Sequence, residues 1–224
     1  MKVTTDACLF GGWIAEEDKT QKITRKVLDV GTGTGLLSMM YAQKNSEAII
    51  DAIEIDHDAF TQASENVASS PFSARISVVH GDVKTFSFRK KYDCIVSNPP
   101  FYEKEIRSGN ERKNIAHHHT GLLLEELLDI IRQNLSPLGT FYLLLPYKRN
   151  EEIKKILVEQ NLFVSKIVFV NQSTKHNYFR IMIAGKLNQE SKMETLIEEI
   201  SICDDQQQYM EEFKELLNDY YLYL

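Results

Sequence analysis

Short apolar runs alternate along the chain with stretches whose apolar residues recur at helical spacing. Residues 26–30, 48–55, 75–80 and 92–97 are runs of the first kind, bounded by turn-forming residues, which predicts strands. Residues 36–44 read as a helix after the first of them. Asp56 can cap a second helix running to Asn66, with Asp58 at the positive end of its dipole. Leu122, Leu123, Leu127, Leu128 and Ile131 fall at helical spacing within 121–135. Ser136-Pro137-Leu138-Gly139 predicts a turn, residues 140–145 a fifth strand, and Asn150 the cap of a helix over 151–160. Two more strands, 164–170 and 178–186, flank the polar stretch 171–177.

This order implies βαβ units: an α/β fold with a mostly parallel sheet and helices on both faces. The last two strands have no helix between them, so they should form an antiparallel hairpin. The expectation is a seven-stranded sheet closed by that hairpin. Composition changes near Lys186. Beyond it Tyr209, Phe213, Leu216, Leu217 and Tyr220 share one helical face, and Glu211, Glu212, Glu215 and Asp219 fall largely off it. Residues 1–186 are therefore read as the main domain. Residues 187–224 are read as an acidic extension whose amphipathic helix packs on it.

Charge follows the same division. The whole chain of 224 residues carries a net charge of -6, which by itself speaks against a nucleic-acid partner. Residues 1–186 hold 24 basic and 22 acidic residues, however, and residues 187–224 hold 2 basic and 10 acidic. The body is thus slightly basic and the acidity belongs to the tail. Cys8, Cys94 and Cys203 form no CxxC pair and suggest neither a disulfide framework nor a zinc site. No apolar run approaches the roughly 18–20 residues of a membrane span, and the first residues lack a signal peptide's apolar core. A cytoplasmic protein that engages neither membrane nor metal is expected. The oligomeric state stays open, with a monomer favoured.

Asp29-Val30-Gly31-Thr32-Gly33-Thr34-Gly35 follows a strand and opens a helix. Ligands of open α/β sheets sit at the carboxyl ends of the strands, and glycines there allow close backbone approach. The spacing is GxGxG, not the GxGxxG of dinucleotide binders. Asp29 can accept a hydrogen bond from a cationic amino group. Glu54, near the end of the next strand, can hold ribose hydroxyls. Gly31, Thr32, Gly33 and Gly35 complete the candidate cofactor loop.

Asn98-Pro99-Pro100-Phe101 follows the fourth strand. Proline ends a ladder, but chemistry gives the tetrapeptide a further use. An exocyclic amine on a purine is a poor nucleophile because its lone pair is delocalised into the ring. Two acceptors aimed at its two hydrogens draw the nitrogen towards tetrahedral geometry. The Asn98 side chain and the Pro99 carbonyl are such acceptors, with Pro100 helping to fix the backbone and Phe101 stacking on the base. Positioning and oriented dipoles would carry the catalysis.

DVGTGTG followed by IEID resembles the cofactor site of class I S-adenosylmethionine-dependent methyltransferases, and NPPF resembles the motif of those acting on amino groups of adenine, guanine or glutamine. The resemblance implies a Rossmann-like seven-stranded fold, S-adenosylmethionine as cofactor and S-adenosylhomocysteine as product. It also implies that Glu54 binds the ribose, that Asp82 in Gly81-Asp82-Val83 meets the adenine amino group, and that Asn98 borders the cofactor. MKVTTDACLFGGW at the start and DYYLYL at the end further resemble the bacterial tRNA(Val) adenine-37 N6-methyltransferase family. By that resemblance Thr5 and Asp6 close over the methionine part of the cofactor, although an N-terminal helix cap would suit the same residues. Members of that family usually carry a further segment before Met-Lys-Val; this sequence is truncated, has its start assigned late or belongs to a short member, and a missing segment would leave the pocket more open and weaken substrate binding.

The stretch after NPPF holds Lys104, Arg107, Arg112 and Lys113, then His117, His118 and His119. Consecutive histidines point in different directions and lack a standard ligand spacing, so a polar loop contacting RNA is preferred over a metal site. Lys175 and Arg180 extend a basic rim for the substrate. The expected activity is methyl transfer to N6 of adenine in tRNA, at adenine 37 of tRNA(Val). The alternatives are ribosomal RNA or protein glutamine as acceptor, or a silent cofactor-binding module that helps assemble RNA. RNA should approach from the NPPF side, with the acidic tail away from it.

Overall fold

A computed structural model describes residues 2–19, 25–100, 121–187 and 194–223. In chain order the elements are α1 (Thr5–Glu17), β1 (Lys26–Val30), α2 (Leu36–Lys44), β2 (Ile49–Glu54), α3 (His57–Ala68), β3 (Ile76–His80) and β4 (Tyr92–Ser97). There follow α4 (Leu124–Asn134), β5 (Leu135–Pro146), a 3-10 turn (Tyr147–Arg149), α5 (Asn150–Glu159), β6 (Phe163–Ser173), β7 (Tyr178–Lys186), β8 (Leu196–Cys203) and α6 (Glu211–Leu217). The strands form one sheet in the order β3-β2-β1-β4-β5-β7-β6-β8. β1 to β5 run parallel, and β7 inserts antiparallel between β5 and β6.

Strand order reverses between β1 and β4. β2 and β3 fan out to one side of β1, and β4 and β5 to the other, which leaves a crevice at the carboxyl ends of β1 and β4. One sheet face is covered by α1, α2 and α6, with Phe10, Trp13, Tyr41, Tyr142 and Phe213 in its core. The other is covered by α4 and α5, with Leu28, Ile95, Leu127, Leu128 and Phe141. Burying each such side chain contributes about 1.5–3 kcal/mol.

The sheet has eight strands rather than the expected seven. The eighth, β8, lies in the acidic extension ahead of its helix and pairs parallel with β6 from Leu196 to Cys203. Leu196-Ile197-Glu198-Glu199-Ile200 breaks the alternation of a half-buried strand, because this edge strand buries only its second half. The expected turn at 136–139 lies inside β5, which begins at Leu135. The extension's helix is short, and Phe213 and Leu217 bury its apolar face.

α1 was not read as an element in its own right. It is buried on every side from Ala7 to Ile14, so no apolar stripe marks it. Gly12 lets α6 come close: a Cβ there would lie 2.6 Å from the Leu216 carbonyl oxygen. Beyond α1, buried Asp18 pairs with Arg25 and accepts the Tyr41 hydroxyl, which ties the end of the helix to the start of β1.

Candidate active site at the carboxyl ends of the strands

The glycine loop leaves β1 and turns at once into α2. Gly31, Gly33 and Gly35 have φ of 70°, 59° and 80°, values that favour glycine. The loop is hydrogen-bonded to the end of β2. Gly31 and Thr32 donate their N–H groups to the Ile53 carbonyl at 2.9 and 3.1 Å. Gly33 N–H donates to Glu54 Oε2 at 2.8 Å. The other Glu54 oxygen accepts the N–H groups of Ile55 and Asp56 at 2.9 and 3.0 Å. Glu54 thus fixes both the loop and the start of the next turn. A Cβ on Gly31 would meet nothing within 4 Å, because this backbone faces open space.

Asp29 lies beneath the loop, fully buried. Its Oδ2 accepts the hydroxyls of Thr32 at 2.6 Å and Ser38 at 2.7 Å. Its Oδ1 is buried without a protein partner. Burial pushes its carboxyl up to about 6, helped by the negative charge of Glu54 and opposed by the two hydroxyls.

These features border a cavity of about 790 Å³. Its walls are Lys2, Thr4 and Asp6 at the start of the chain, Val30 and Gly31 after β1, and the segment from Ile53 to Asp56 after β2. Asp58, Ala59 and Gln62 of α3, the segment from Gly81 to Lys84 after β3, Ser97 to Pro100 after β4, Gly121, Leu122 and Arg180 complete them. Asp82 accepts the Lys84 N–H at 2.9 Å, which turns the chain back after β3. The Ser97 hydroxyl donates to the Val30 carbonyl at 2.8 Å and locks the end of β4 beside the glycine loop. Asn98 is half-buried, Pro99 buried and Pro100 exposed.

Among the residues named from sequence, Asp6, Gly31, Glu54, Asp82, Asn98, Pro99, Pro100 and Arg180 thus meet on one cavity. Asp29, Thr32, Gly33 and Gly35 stand behind its wall and shape it. Thr5 opens α1 and does not line the cavity, whereas its neighbour Thr4 does. Asp56 caps α3 by accepting the Ala59 N–H at 2.9 Å, as expected of a helix-terminus residue, while also lining the cavity. Phe101, Lys104, Arg107 and the three histidines lie outside the described residues. Gln62 and Lys2 were missed; the signal for Gln62 was its place one helical turn after Asp58.

Lys175 stands in the loop between β6 and β7, ion-paired to Asp205 at 2.9 Å. That contact corrects one expectation. Asp205 follows β8 and lies at the carboxyl end of the sheet, so part of the acidic tail reaches the side from which RNA was expected. Asp219, by contrast, pairs with Lys44 of α2. Among the described residues no helix is long and apolar enough to cross a membrane.

The site fits S-adenosylmethionine by its donor set. A buried carboxylate oxygen without a partner suits an ammonium group, and the carboxylates after β2 and β3 suit a ribose and an adenine amino group. The glycine loop gives close access between them. The methyltransferase small domain family matches residues 15–141. The chain is 49% identical over 146 residues to the tRNA1(Val) (adenine(37)-N6)-methyltransferase of Dyadobacter fermentans, a match covering 65% of the chain and 59% of that relative. It is 35% identical over 228 residues to the protein of that name from Christiangramia forsetii, covering 100% of the chain and 92% of the relative. Among solved structures, a predicted O-methyltransferase from Agrobacterium tumefaciens, protein Atu636, has the same fold, with a TM-score of 0.72 at 15% identity over 95% of both chains. The chain belongs to the methyltransferase small domain family, within the group of proteins named tRNA1(Val) (adenine(37)-N6)-methyltransferase.

Proposed function

We propose that this protein transfers a methyl group from S-adenosylmethionine to N6 of adenine 37 in tRNA(Val). The observation that carries the reading is the meeting of two chemistries in one cavity. The acceptors Asn98 and Pro99 follow β4 on the same cavity that Glu54, at the end of β2, and Asp82, after β3, border. The full-length likeness to relatives named for that reaction supports the choice of acceptor.

S-adenosylmethionine, when bound, supplies a methyl group already activated by a positive sulfur. The chain's own residues bind and orient. Asp29, behind the glycine loop, fixes Thr32 and Ser38 and places a negative charge near the end of the cavity that would take the ammonium group. Glu54 accepts from the ribose on the lone-pair site that Gly33, Ile55 and Asp56 leave to it. Asp82 accepts from the adenine amino group of the cofactor. The Asn98 side-chain oxygen and the Pro99 carbonyl accept the two N6 hydrogens of the target adenine, so that its lone pair points at the methyl carbon. Phe101 would wall the pocket into which the unstacked target base enters. Lys104, Arg107 and Lys175 would contact the RNA backbone. With tRNA as substrate, the enzyme works in the cytoplasm.

The test is incubation with bulk tRNA and labelled cofactor, followed by nucleoside mass spectrometry of isolated tRNAs. N6-methyladenosine at position 37 of tRNA(Val) is the expected product. Label in ribosomal RNA or in a protein glutamine, with none in tRNA, would overturn the reading.

A further inference from the structure

Arg180 was expected to touch RNA, but its geometry gives it other work. Its Nε donates to Asp6 Oδ2 at 2.7 Å, and the pair is well shielded, with side-chain exposures of 26% and 13%. Both residues line the cavity. Asp6 lies in the first turn of α1, and its other oxygen accepts the Ala7 N–H at 3.1 Å. Lys2 and Thr4, just ahead of it, form part of the cavity wall. Despite burial, the Thr4 hydroxyl and the Arg180 guanidinium hold the Asp6 carboxyl below its ordinary range.

The two partners have very different mountings. Arg180 sits on β7 between two strands, opposite Pro146 of β5 and Val170 of β6, and its guanidinium rests 5.4 Å from the Phe179 ring. Residues 2–5 are exposed and Asp6 is half-buried, so little burial holds this segment in place. α1 itself does not need the tie, because Leu9, Phe10, Trp13 and Ile14 bury it against the sheet. The ion pair therefore acts on the exposed first turn of α1 and the residues just ahead of it, and Lys2, Thr4 and Asp6 there close one wall of the cavity.

We infer that Arg180 is a positioning residue: acting through Asp6, it holds segment 2–6 against the cavity and so sets cofactor affinity, without being an RNA contact. The inference rests on the reading of this cavity as the cofactor site. It predicts weaker cofactor binding with tRNA binding unchanged, which neither a purely structural ion pair nor an RNA-binding arginine would give.

The experiment titrates the full chain with S-adenosylhomocysteine by calorimetry, with no RNA present, for the wild type, R180A and R180K. R180A should raise Kd about tenfold, the loss of one charge-assisted hydrogen bond of about 1.4 kcal/mol. R180K keeps the charge but not the planar donor, so it should fall between wild type and R180A. In turnover assays R180A should raise KM for S-adenosylmethionine and leave KM for tRNA and kcat at saturating cofactor near wild type. Unchanged cofactor affinity in R180A would overturn the inference, whether KM for tRNA rises, marking an RNA contact, or melting temperature alone falls, marking a structural pair. If R180A does not fold, R180K carries the test, and wild-type cofactor affinity there overturns it. A wild type that binds no S-adenosylhomocysteine would overturn the cofactor reading along with it.

Discussion

Gly33 N–H and Glu54 Oε2 are hydrogen-bonded at 2.8 Å, joining the loop after β1 to the end of β2. The same carboxylate accepts two further N–H groups, so it shapes the cavity before any ligand arrives. Glu54→Ala should therefore weaken cofactor binding twice over, by losing the ribose contact and by releasing the loop. An increase in Kd of about 10–100-fold is expected, from hydrogen bonds to a charged group. Calorimetry with S-adenosylhomocysteine checks it, and unchanged affinity would show that the ribose lies elsewhere.

Asn98 should behave in the opposite way. On the proposed reading its side chain serves the acceptor amine, so Asn98→Ala should lower kcat by about 100–1000-fold, the usual cost of removing one oriented transition-state dipole. Cofactor affinity should stay within a few-fold. Single-turnover methylation of tRNA beside a binding titration separates the two, and normal turnover would remove Asn98 from the mechanism.

Asp29 makes a prediction about pH. Burial raises its folded carboxyl to about 6 from an ordinary value of 3.8. The folded state then binds more protons than the unfolded state between those values, so the unliganded protein loses stability as pH rises through that window. The loss reaches about 3 kcal/mol in the limit of a two-unit shift. Asp29→Asn should flatten this part of the profile in denaturant titrations from pH 4 to 7. On the proposed reading cofactor affinity should rise with pH through about 6, as the carboxylate behind the loop ionises near the ammonium group; a flat affinity profile would argue against that placement.

Gly12 marks the contact between α1 and α6. A Cβ placed there meets the Leu216 backbone first, at 2.6 Å, and backbone cannot swing aside as a side chain can, so Gly12→Ala must push the helices apart. Overpacking of this kind costs about 1–3 kcal/mol, and each kcal/mol lowers Tm by about 2–4 °C in a chain of this size. Thermal melts read the change directly, and a Tm equal to wild type would show that the contact is loose.

RNA binding should depend steeply on salt, because phosphate contacts release counterions. The pairing of Lys175 with Asp205 tempers this, since the lysine must exchange one partner for another. Asp205→Asn should therefore tighten tRNA binding at low salt, as measured by filter binding. No change would remove Lys175 from the RNA surface.

The sequence by itself located the candidate site. The glycine loop, Glu54, Asp82 and Asn98-Pro99 each stand at the end of an apolar run, and strand ends are legible because the run stops where turn residues begin. It also determined the antiparallel hairpin, from two strands with no helix between them. Tertiary structure decided what period and composition do not encode. α1 is buried all round and carries no stripe, and β8 is an edge strand half exposed, so neither shows the pattern of its class. The partners of Glu54 and Arg180 were decided there too. A carboxylate that binds backbone 21 residues away, and an arginine paired with an aspartate 174 residues away, depend on which strands become neighbours. That is a property of the packed sheet, settled by burial of its two faces and not by any local signal.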